Sequence, residues 1–154
     1  MFFAAYSERD SMHNDGKLLL TSAILGWFGK VYTSTYVLDE AATLTKAKVG
    51  GEEAVRLVDG IIQSKIISVI EVENGEILEN TRKKFSKHKE MKGLSFTDCT
   101  TLTIQEKLKI HSVLSFDSNF RPFVPRLFGE DYNDILNDYE RELLVGAMKS
   151  LRIS

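Results

Sequence analysis

The stretch LSFTDCTTLTIQEKLKIHSVLSFDSNF, residues 94–120, decides the fold because it joins a helix to a buried strand and carries an acid near each end. Residues 96–108 have apolar side chains at helical spacing, and residues 112–116 have the composition of a short buried strand. In an α/β sheet the helix runs antiparallel to the strand it feeds, so the start of the helix and the end of the strand share one edge. Asp98 and Asp117 are therefore expected at the edge where open α/β folds place their sites.

Length and composition indicate one globular domain. The chain has 154 residues, of which 43% are hydrophobic and 27% charged, and its net charge is −2. A slightly acidic protein with pI about 5.9 lacks the overall basic charge that bulk electrostatic binding to nucleic acid requires. The single cysteine, Cys99, excludes an internal disulfide and is expected as a small core residue. No signal peptide or membrane-spanning run is recognisable, so a cytoplasmic protein without membrane contact is predicted.

Helical and strand patterns alternate along the chain, which predicts an α/β three-layer sandwich with a central parallel sheet. Strands are expected at residues 31–33, 66–72 and 112–116. Helices are expected at residues 18–26, 36–48, 52–63, the first half of 76–92, 96–108 and 131–151. Pro122 and Pro125 argue against a regular element between the last strand and the last helix. We divide the chain into a core, residues 1–126, and a C-terminal helical extension, residues 127–154.

Glu40 is the most informative single acid. On a helix that starts near Tyr36, its neighbours one turn away are apolar, whereas the adjacent Asp39 shares its face with polar residues. Glu40 is therefore predicted to point inward, where a carboxylate is costly unless it is paired or bound to a cation. The alternative is a side chain at the margin of the apolar stripe that reaches solvent or a lysine.

Asp98 and Asp117 each have an ordinary structural explanation. The spacing of Ser95 and Asp98 fits a capping box at the start of a helix, and Asp117 precedes Ser118 and Asn119 in a pattern typical of a turn. Taken together with Glu40, however, these acids come from separate elements and converge on one sheet edge, where like charges repel unless a cation neutralises them. Oxygen ligands without cysteine or histidine suit Mg²⁺ or Mn²⁺.

The one basic cluster lies in the helix that precedes the 94–120 stretch. Such a run is most often a solvated helix face, and its functional alternative is a surface that contacts RNA phosphates beside the acids. The candidate RNA-binding residues are Arg82, Lys83, Lys84 and Lys87.

Three segments resemble a known family, the PIN domain, and within it the VapC-like toxin ribonucleases. They are VYTSTYVLDEAATL at residues 31–44, LSFTDCTTL at 94–102 and VLSFDSNF at 113–120, in the order and at the spacing of the family. The opening FFAAYSERDSMH is similar to the segment that follows the family's first strand. The resemblance covers about residues 2–120.

The resemblance implies metal-dependent cleavage of RNA. By it, Glu40, Asp98 and Asp117 are catalytic, metal-binding acids that hold Mg²⁺ or Mn²⁺, and the site-lining hydroxyls are Ser34, Ser95 and Thr97. It also implies an RNA substrate, a homodimer and an antitoxin protein that covers the site.

The family pattern includes a first strand that ends in an aspartate, and Met1 stands where the residues just after that aspartate would be. We therefore expect Met1 to be an internal methionine with a strand-coding segment upstream. The alternative function is a catalytically inactive PIN-like module that binds RNA or protein. A small-molecule phosphatase or nucleotide hydrolase ranks lower because no glycine-rich phosphate loop is present.

Overall fold

The computed structural model describes residues 1–73, 75–128, 132 and 136–150. The helices are α1 (Phe2–Tyr6), α2 (His13–Ile24), α3 (Thr35–Lys48), α4 (Gly51–Ile62), α5 (Glu76–Lys87), α6 (Phe96–Leu108) and α7 (Asp138–Ser150). The strands are β1 (Val31–Ser34), β2 (Ile67–Ile70), β3 (Val113–Leu114) and β4 (Arg126–Leu127), and a 3₁₀ turn spans Ser118–Phe120. The predicted α/β class with parallel strands is confirmed.

The strands form two separate pairs. In the first half-sheet β1 and β2 run parallel over four residue pairs, from Val31 opposite Ile67 to Ser34 opposite Ile70. In the second half-sheet β3 and β4 run parallel over two pairs. Within the described residues, no strand pairing joins one half-sheet to the other. The continuous central sheet expected from the sequence is therefore divided.

Local sequence signals account for the helix boundaries. The Ser34 side chain accepts a hydrogen bond from the Val37 amide and starts α3. Gly50, with a φ of 155°, separates α3 from α4, a backbone conformation that favours glycine. Helix α6 begins with the predicted capping box and ends at Lys109, which adopts the left-handed conformation.

Several strand and helix boundaries predicted from the sequence differ from those in the structure. The expectation that no regular element lies between the predicted last strand and the last helix is wrong, because β4 begins directly after Pro125, whose carbonyl accepts from the Val113 amide. Strand β3 is shorter than residues 112–116, and α2 begins five residues before Leu18. Of the predicted helix at 131–151, the structure describes a helix from Asp138; residues 131, 133–135 and 151 lie outside the described residues.

Three apolar clusters form the core. The first surrounds the β1–β2 half-sheet and comprises Phe2, Ala5, Leu20, Ala41, Leu57, Ile61 and Ile67. The second lies beside β3 and comprises Leu94, Cys99, Leu102, Phe120 and Val124. The third joins α2 to the C-terminal segment through Leu19, Tyr132, Leu136 and Leu144. The C-terminal helix is thus packed against the rest of the chain by its own apolar contacts.

Among the described residues, no helix has the length and hydrophobicity needed to span a membrane.

Candidate active site

A cavity of about 430 Å³ lies between the two half-sheets. Its lining includes residues 30–34, which are β1 and the residue before it, and residues 110–115, which contain β3. One face of α6, from Thr97 to Gln105, also lines the cavity, and Met1 contributes to it. Two of the three predicted acids, Glu40 and Asp98, line it as well. We call this cavity the cleft.

Glu40 faces the cleft but is not buried. Its Oε1 atom accepts a hydrogen bond of 2.7 Å from the Thr97 hydroxyl. The prediction that Glu40 points inward into the core is wrong, since both Glu40 and Asp39 are exposed. Of the apolar neighbours on α3, Val37 lines the cleft and Leu44 is itself exposed, so the carboxylate remains in contact with solvent and needs no buried partner.

Asp98 has the structural role that its spacing from Ser95 predicted. Its Oδ2 atom accepts hydrogen bonds from the Ser95 amide at 2.8 Å and from the Ser95 hydroxyl at 2.7 Å. The Ser95 hydroxyl in turn accepts from the Asp98 amide at 3.0 Å. Ser95 is exposed and is not among the residues that line the cleft, whereas Asp98 is half-buried and lines it. The cap fixes the orientation of the Asp98 carboxylate at the mouth of the cleft.

Asp117 caps the 3₁₀ turn. Its Oδ1 atom accepts from the Asn119 amide at 2.8 Å, and its own amide donates to the Ser115 hydroxyl at 3.1 Å. Asp117 is half-buried and does not line the cleft, although Ser115 does. The structure therefore brings Glu40 and Asp98 to one cavity and leaves Asp117 beside it.

The cleft contains polar residues that were not selected from the sequence. Lys30, Gln105 and His111 line it, and the Lys30 ammonium lies 5.2 Å from the centre of the Tyr32 ring. Lys30 and His111 each precede a strand, so their shared location depends on how the strands are arranged and not on any local motif. Ser34, predicted to line the site, does so while its hydroxyl also caps α3.

The carboxylates that line the cleft are fewer than the predicted metal site requires. In the part of the chain that the structure describes, no group of three or more histidine, cysteine, aspartate or glutamate side chains is close enough to hold a metal ion. Divalent Mg²⁺ and Mn²⁺ take up to six oxygen ligands, often with several from water. Glu40 and Asp98 supply the right chemistry, but two carboxylates, one of them engaged in a cap, are fewer than the predicted three.

Helix α5 carries the predicted RNA-binding residues, and most of them are paired with acids. Arg82 donates to Glu79 at 2.9 and 3.0 Å, and that bond holds the pKa of the Glu79 carboxyl below its usual range. Lys83 lies 3.7 Å from the same carboxylate, and Lys84 pairs with Glu106 of α6 at 2.6 Å. No ion pair to Lys87 occurs among the described residues. The pairs with Glu79 are exposed and therefore weak, so Arg82 and Lys83 can exchange that carboxylate for a phosphate, whereas the Lys84 side chain is mostly covered.

Cys99 lies directly after Asp98 and is fully buried. Burial, followed by the charge of Asp98, raises the pKa of its thiol. It is therefore a core residue, as predicted, and not a nucleophile.

Two known proteins are similar to this chain, each at less than 30% sequence identity. No family model matches the chain. A VapC ribonuclease of Archaeoglobus fulgidus is 28% identical over 149 residues, which are 97% of this chain and 91% of the relative. The chain has a VapC-like PIN fold.

A solved structure supports the same conclusion. The crystal structure of VapC20 of Mycobacterium tuberculosis, described as a toxin that cleaves the sarcin–ricin loop, matches with a TM-score of 0.70 at 27% identity. The match covers 82% of this chain and 93% of that one. The resemblance to VapC-like PIN domains that the three sequence motifs indicated is thereby confirmed.

Proposed function

We propose that this PIN domain is a toxin endoribonuclease that cleaves RNA phosphodiesters at the cleft and has an antitoxin protein as its partner. The observation that carries the proposal is the convergence of Glu40 from α3 and Asp98 from α6 on one cavity, linked by the bond from Thr97 to Glu40. Support comes from the relatives, since the protein of Archaeoglobus fulgidus is named a ribonuclease and the toxin of Mycobacterium tuberculosis cleaves the sarcin–ricin loop.

The residues of the cleft have separable roles in this proposal. Glu40 and Asp98 are the catalytic acids, and Asp117 acts from the adjoining edge. Thr97 positions Glu40 through its 2.7 Å bond, and Ser34 fixes the start of the helix that carries Glu40. We propose Mg²⁺ or Mn²⁺ as the cation because the acids offer only oxygen donors.

RNA reaches the cleft across α5 and α6. A row of aromatic rings connects these helices to α3: the centroids of Tyr36 and Phe96 are 6.1 Å apart, and those of Phe96 and Phe85 are 5.5 Å apart. Phe96 lies two residues before Asp98, so this row joins α5 to the start of the helix that carries that acid, while the lysines of α5 line a separate groove with Thr103 and Glu106. Lys83, Lys84 and Lys87 of that helix are placed to meet the phosphates of a bound strand.

The test is cleavage of a mixed RNA pool in the presence of Mn²⁺. Glu40→Gln should lower the cleavage rate about 100-fold or more, the range expected for loss of an acid–base group. Asp39→Asn is the matched control because Asp39 is the neighbouring exposed acid of the same helix and does not line the cleft. Equal rates for the two variants would contradict the assignment of Glu40.

Asp98 needs a different pair of variants because it also caps α6. Asp98→Glu keeps a capping box, whose usual acid at this position is glutamate, but moves the carboxylate. Asp98→Asn removes the charge. Activity lost in both variants, with the unfolding temperature of Asp98→Glu preserved, identifies a catalytic acid; activity retained in both identifies a cap only.

The phosphate contacts are tested by salt dependence. Replacing Lys87 by alanine should weaken RNA binding uniformly and reduce the slope of log K against log salt by about 0.7, the value for one contact with single-stranded nucleic acid. Lys48→Ala, at the far end of α3 from the cleft, is the control and should leave the slope unchanged.

One observation favours a second function. Asp117 lies outside the cleft and Asp98 is held in its cap, so this PIN domain has fewer converging acids than predicted. An inactive module that binds RNA would retain RNA in a filter assay without cleaving it, and Glu40→Gln would change nothing.

A further inference from the structure

Three aromatic rings form a row on the surface beside the cleft. Tyr36 of α3 and Phe96 of α6 have ring centroids 6.1 Å apart, and the centroids of Phe96 and Phe85 of α5 are 5.5 Å apart. We call these three residues the aromatic row. They belong to none of the three core clusters, so the packing of a core does not account for them.

Phe85 is the most exposed phenylalanine of the chain. Its relative exposure is 44%, whereas the other phenylalanines are buried or half-buried. A phenylalanine that serves packing alone is usually covered, as Phe2 and Phe120 are at 6% and 4%. Because Phe85 continues a row of rings and is not an isolated surface residue, it indicates a binding surface.

The contacts within the aromatic row leave ring surface free for a ligand. Phe96 and Phe85 meet edge to face at 74°, and Tyr36 and Phe96 are tilted by 46°, so neither pair is a stack in which two rings cover each other. A base inserted between two rings would need them roughly 7 Å apart, twice the spacing of about 3.4 Å between stacked bases. These rings are closer than that. A base can therefore stack only on an outer face, and Phe85 offers the most exposed one.

The aromatic row leads to the proposed catalytic acids. Tyr36 precedes Glu40 by four residues on α3, so their side chains lie on one face of the helix with Cβ atoms about 6 Å apart. Phe96 is the first residue of α6, in which Thr97 donates to Glu40 and Asp98 lines the cleft. The nucleotides next to a phosphodiester at these acids are therefore within reach of the rings.

The surroundings of Phe85 favour RNA over a protein as the partner. Arg82 lies three residues before Phe85, and its pair with Glu79 is exposed and weak. Lys89 follows Phe85 by four residues, just past the end of α5, and is exposed. Lysine is depleted at the core of protein interfaces. Basic residues that flank an aromatic ring are typical of sites for single-stranded nucleic acid, where cations hold phosphates and rings stack on bases.

We infer that Phe85 and Tyr36 stack on unpaired bases of an RNA strand that is cleaved at the cleft. Phe96 lies between these two rings and positions them. The inference deepens the proposed nuclease function and rests on it for the identity of the nucleic acid. It restricts the substrate to RNA with unpaired bases next to the cleaved bond, since a base within a duplex has no free face. Every base has an aromatic face, so the row selects unpaired strands and not a particular sequence.

The test compares two single-stranded oligomers of equal length, an RNA and an abasic RNA that has the same phosphates and no bases. Binding is measured in EDTA so that neither is cut. The protein should bind the RNA about tenfold or more tightly than the abasic oligomer. Phe85→Leu should weaken binding of the RNA about tenfold and leave binding of the abasic oligomer unchanged.

Tyr139→Leu is the matched control, because Tyr139 is an exposed ring on α7 outside the aromatic row. This variant should bind both oligomers as the unmodified protein does. Three results would overturn the inference: equal affinity of the unmodified protein for the two oligomers, no binding of either, or an equal loss for both in Phe85→Leu.

A spectroscopic measurement holds even if Phe85→Leu disturbs the fold. Phe85→Trp retains a ring, so it should keep the preference for the RNA, and the emission of its indole should be quenched when a base stacks on it. The unmodified protein, whose single tryptophan is Trp27, supplies the background. Quenching by the RNA and not by the abasic oligomer is expected, and an equal response to both would contradict stacking.

Cleavage and self-association are measured separately, so that the possible failures are told apart. If the RNA pool is cut with Mn²⁺ but the two oligomers bind equally, the inference is wrong and the proposed nuclease function stands. If the RNA is preferred over the abasic oligomer but nothing is cut, the nuclease function is wrong and the stacking surface stands. If Phe85→Leu lowers self-association in sedimentation and leaves the preference for the RNA unchanged, the row is a contact between two copies of the chain and the inference is wrong.

Discussion

The two half-sheets differ in how completely they are built. The β1–β2 half has four paired residues per strand and a core cluster of seven buried residues, whereas the β3–β4 half has two paired residues per strand and a cluster of five. A strand pair needs a further strand or a packed helix to be stable, and the shorter pair depends on this more. The first half-sheet is thus closer to being stable by itself, and the second depends on α6 and on the first half-sheet across the cleft.

The candidate site lies at the junction of the halves. Glu40 belongs to the helix that follows β1, and Thr97 and Asp98 belong to the helix that precedes β3. The Thr97 hydroxyl bond and the ring contact between Tyr36 and Phe96 connect the two. Any change in how the halves meet should therefore alter the geometry of the acids.

The largest effect on stability is expected from shortening one buried leucine in each of the first two core clusters. Leu57 and Leu102 are almost completely buried, in the first and second clusters respectively. Replacing either by alanine should cost about 2–5 kcal/mol. If the second half depends on the first, Leu57→Ala should unfold in one step and Leu102→Ala in two, as followed by circular dichroism during denaturation. The exposed Val55, replaced by alanine, is the control; a two-step transition in Leu57→Ala would reverse the order of dependence.

A second variant tests the packing within the first half. A Cβ atom at Gly16 would lie 2.7 Å from the Ala5 amide nitrogen, so Gly16→Ala should force α1 and α2 apart and cost about 1–3 kcal/mol. At Gly60 the nearest atom is the Tyr6 hydroxyl oxygen at 3.4 Å, an ordinary contact. Gly60→Ala should therefore stabilise α4 by about 0.5–1 kcal/mol. Urea denaturation of both variants measures the contrast, and the same sign for both would refute it.

The hydrogen bond that links the two halves is expected to contribute less to the free energy of unfolding. Thr97→Val keeps the shape of the side chain and removes its bond to Glu40, with an expected loss of about 0.5–1.5 kcal/mol. A double-mutant cycle with Glu40→Ala isolates the coupling between the two residues. Thr43→Val, on the exposed side of α3, should show no coupling to Glu40. Zero coupling for Thr97 would mean that the bond does not hold the halves together.

The smallest effect is a pH dependence at Met1. The pKa of its amino group is lowered in the folded protein, so the unfolded chain binds the proton up to a higher pH. Stability should therefore rise as the pH increases toward about 8, the usual value for an α-amino group, and should fall below it. Acetylation of the amino group should remove this contribution. The difference between the two pH profiles then excludes the contributions of all groups that the acetylated and unmodified proteins share. Identical profiles would show that the amine is not desolvated.

Sequence predicted the elements whose signals are local. Helix α6 has the predicted bounds because its capping box and the helical spacing of its apolar residues both lie within the segment itself. Strand β4 was missed because its two residues are defined only by pairing with β3. The division of the sheet could not be predicted from the sequence for the same reason, because pairing between strands joins residues that are distant along the chain.

The site followed the same rule. The α/β topology predicted that Glu40 and Asp98 share an edge. It did not predict the exposure of Glu40, because a helix face has the same apolar sequence pattern whether it borders a cleft or a core. Lys30 and His111 have no local signal that places them in one cavity. The displacement of Asp117 depends on the turn that it caps.

The most direct measurement is residue-by-residue amide exchange in the chain as it stands. If the cleft separates two half-sheets, protection should alternate along each edge: Val31 and Val113, which donate across their own half-sheet, should exchange slowly, and Tyr32 and Leu114, which face the cleft, should exchange fast. Uniform protection of these four amides would show that the two edges are already paired, and would contradict the divided sheet.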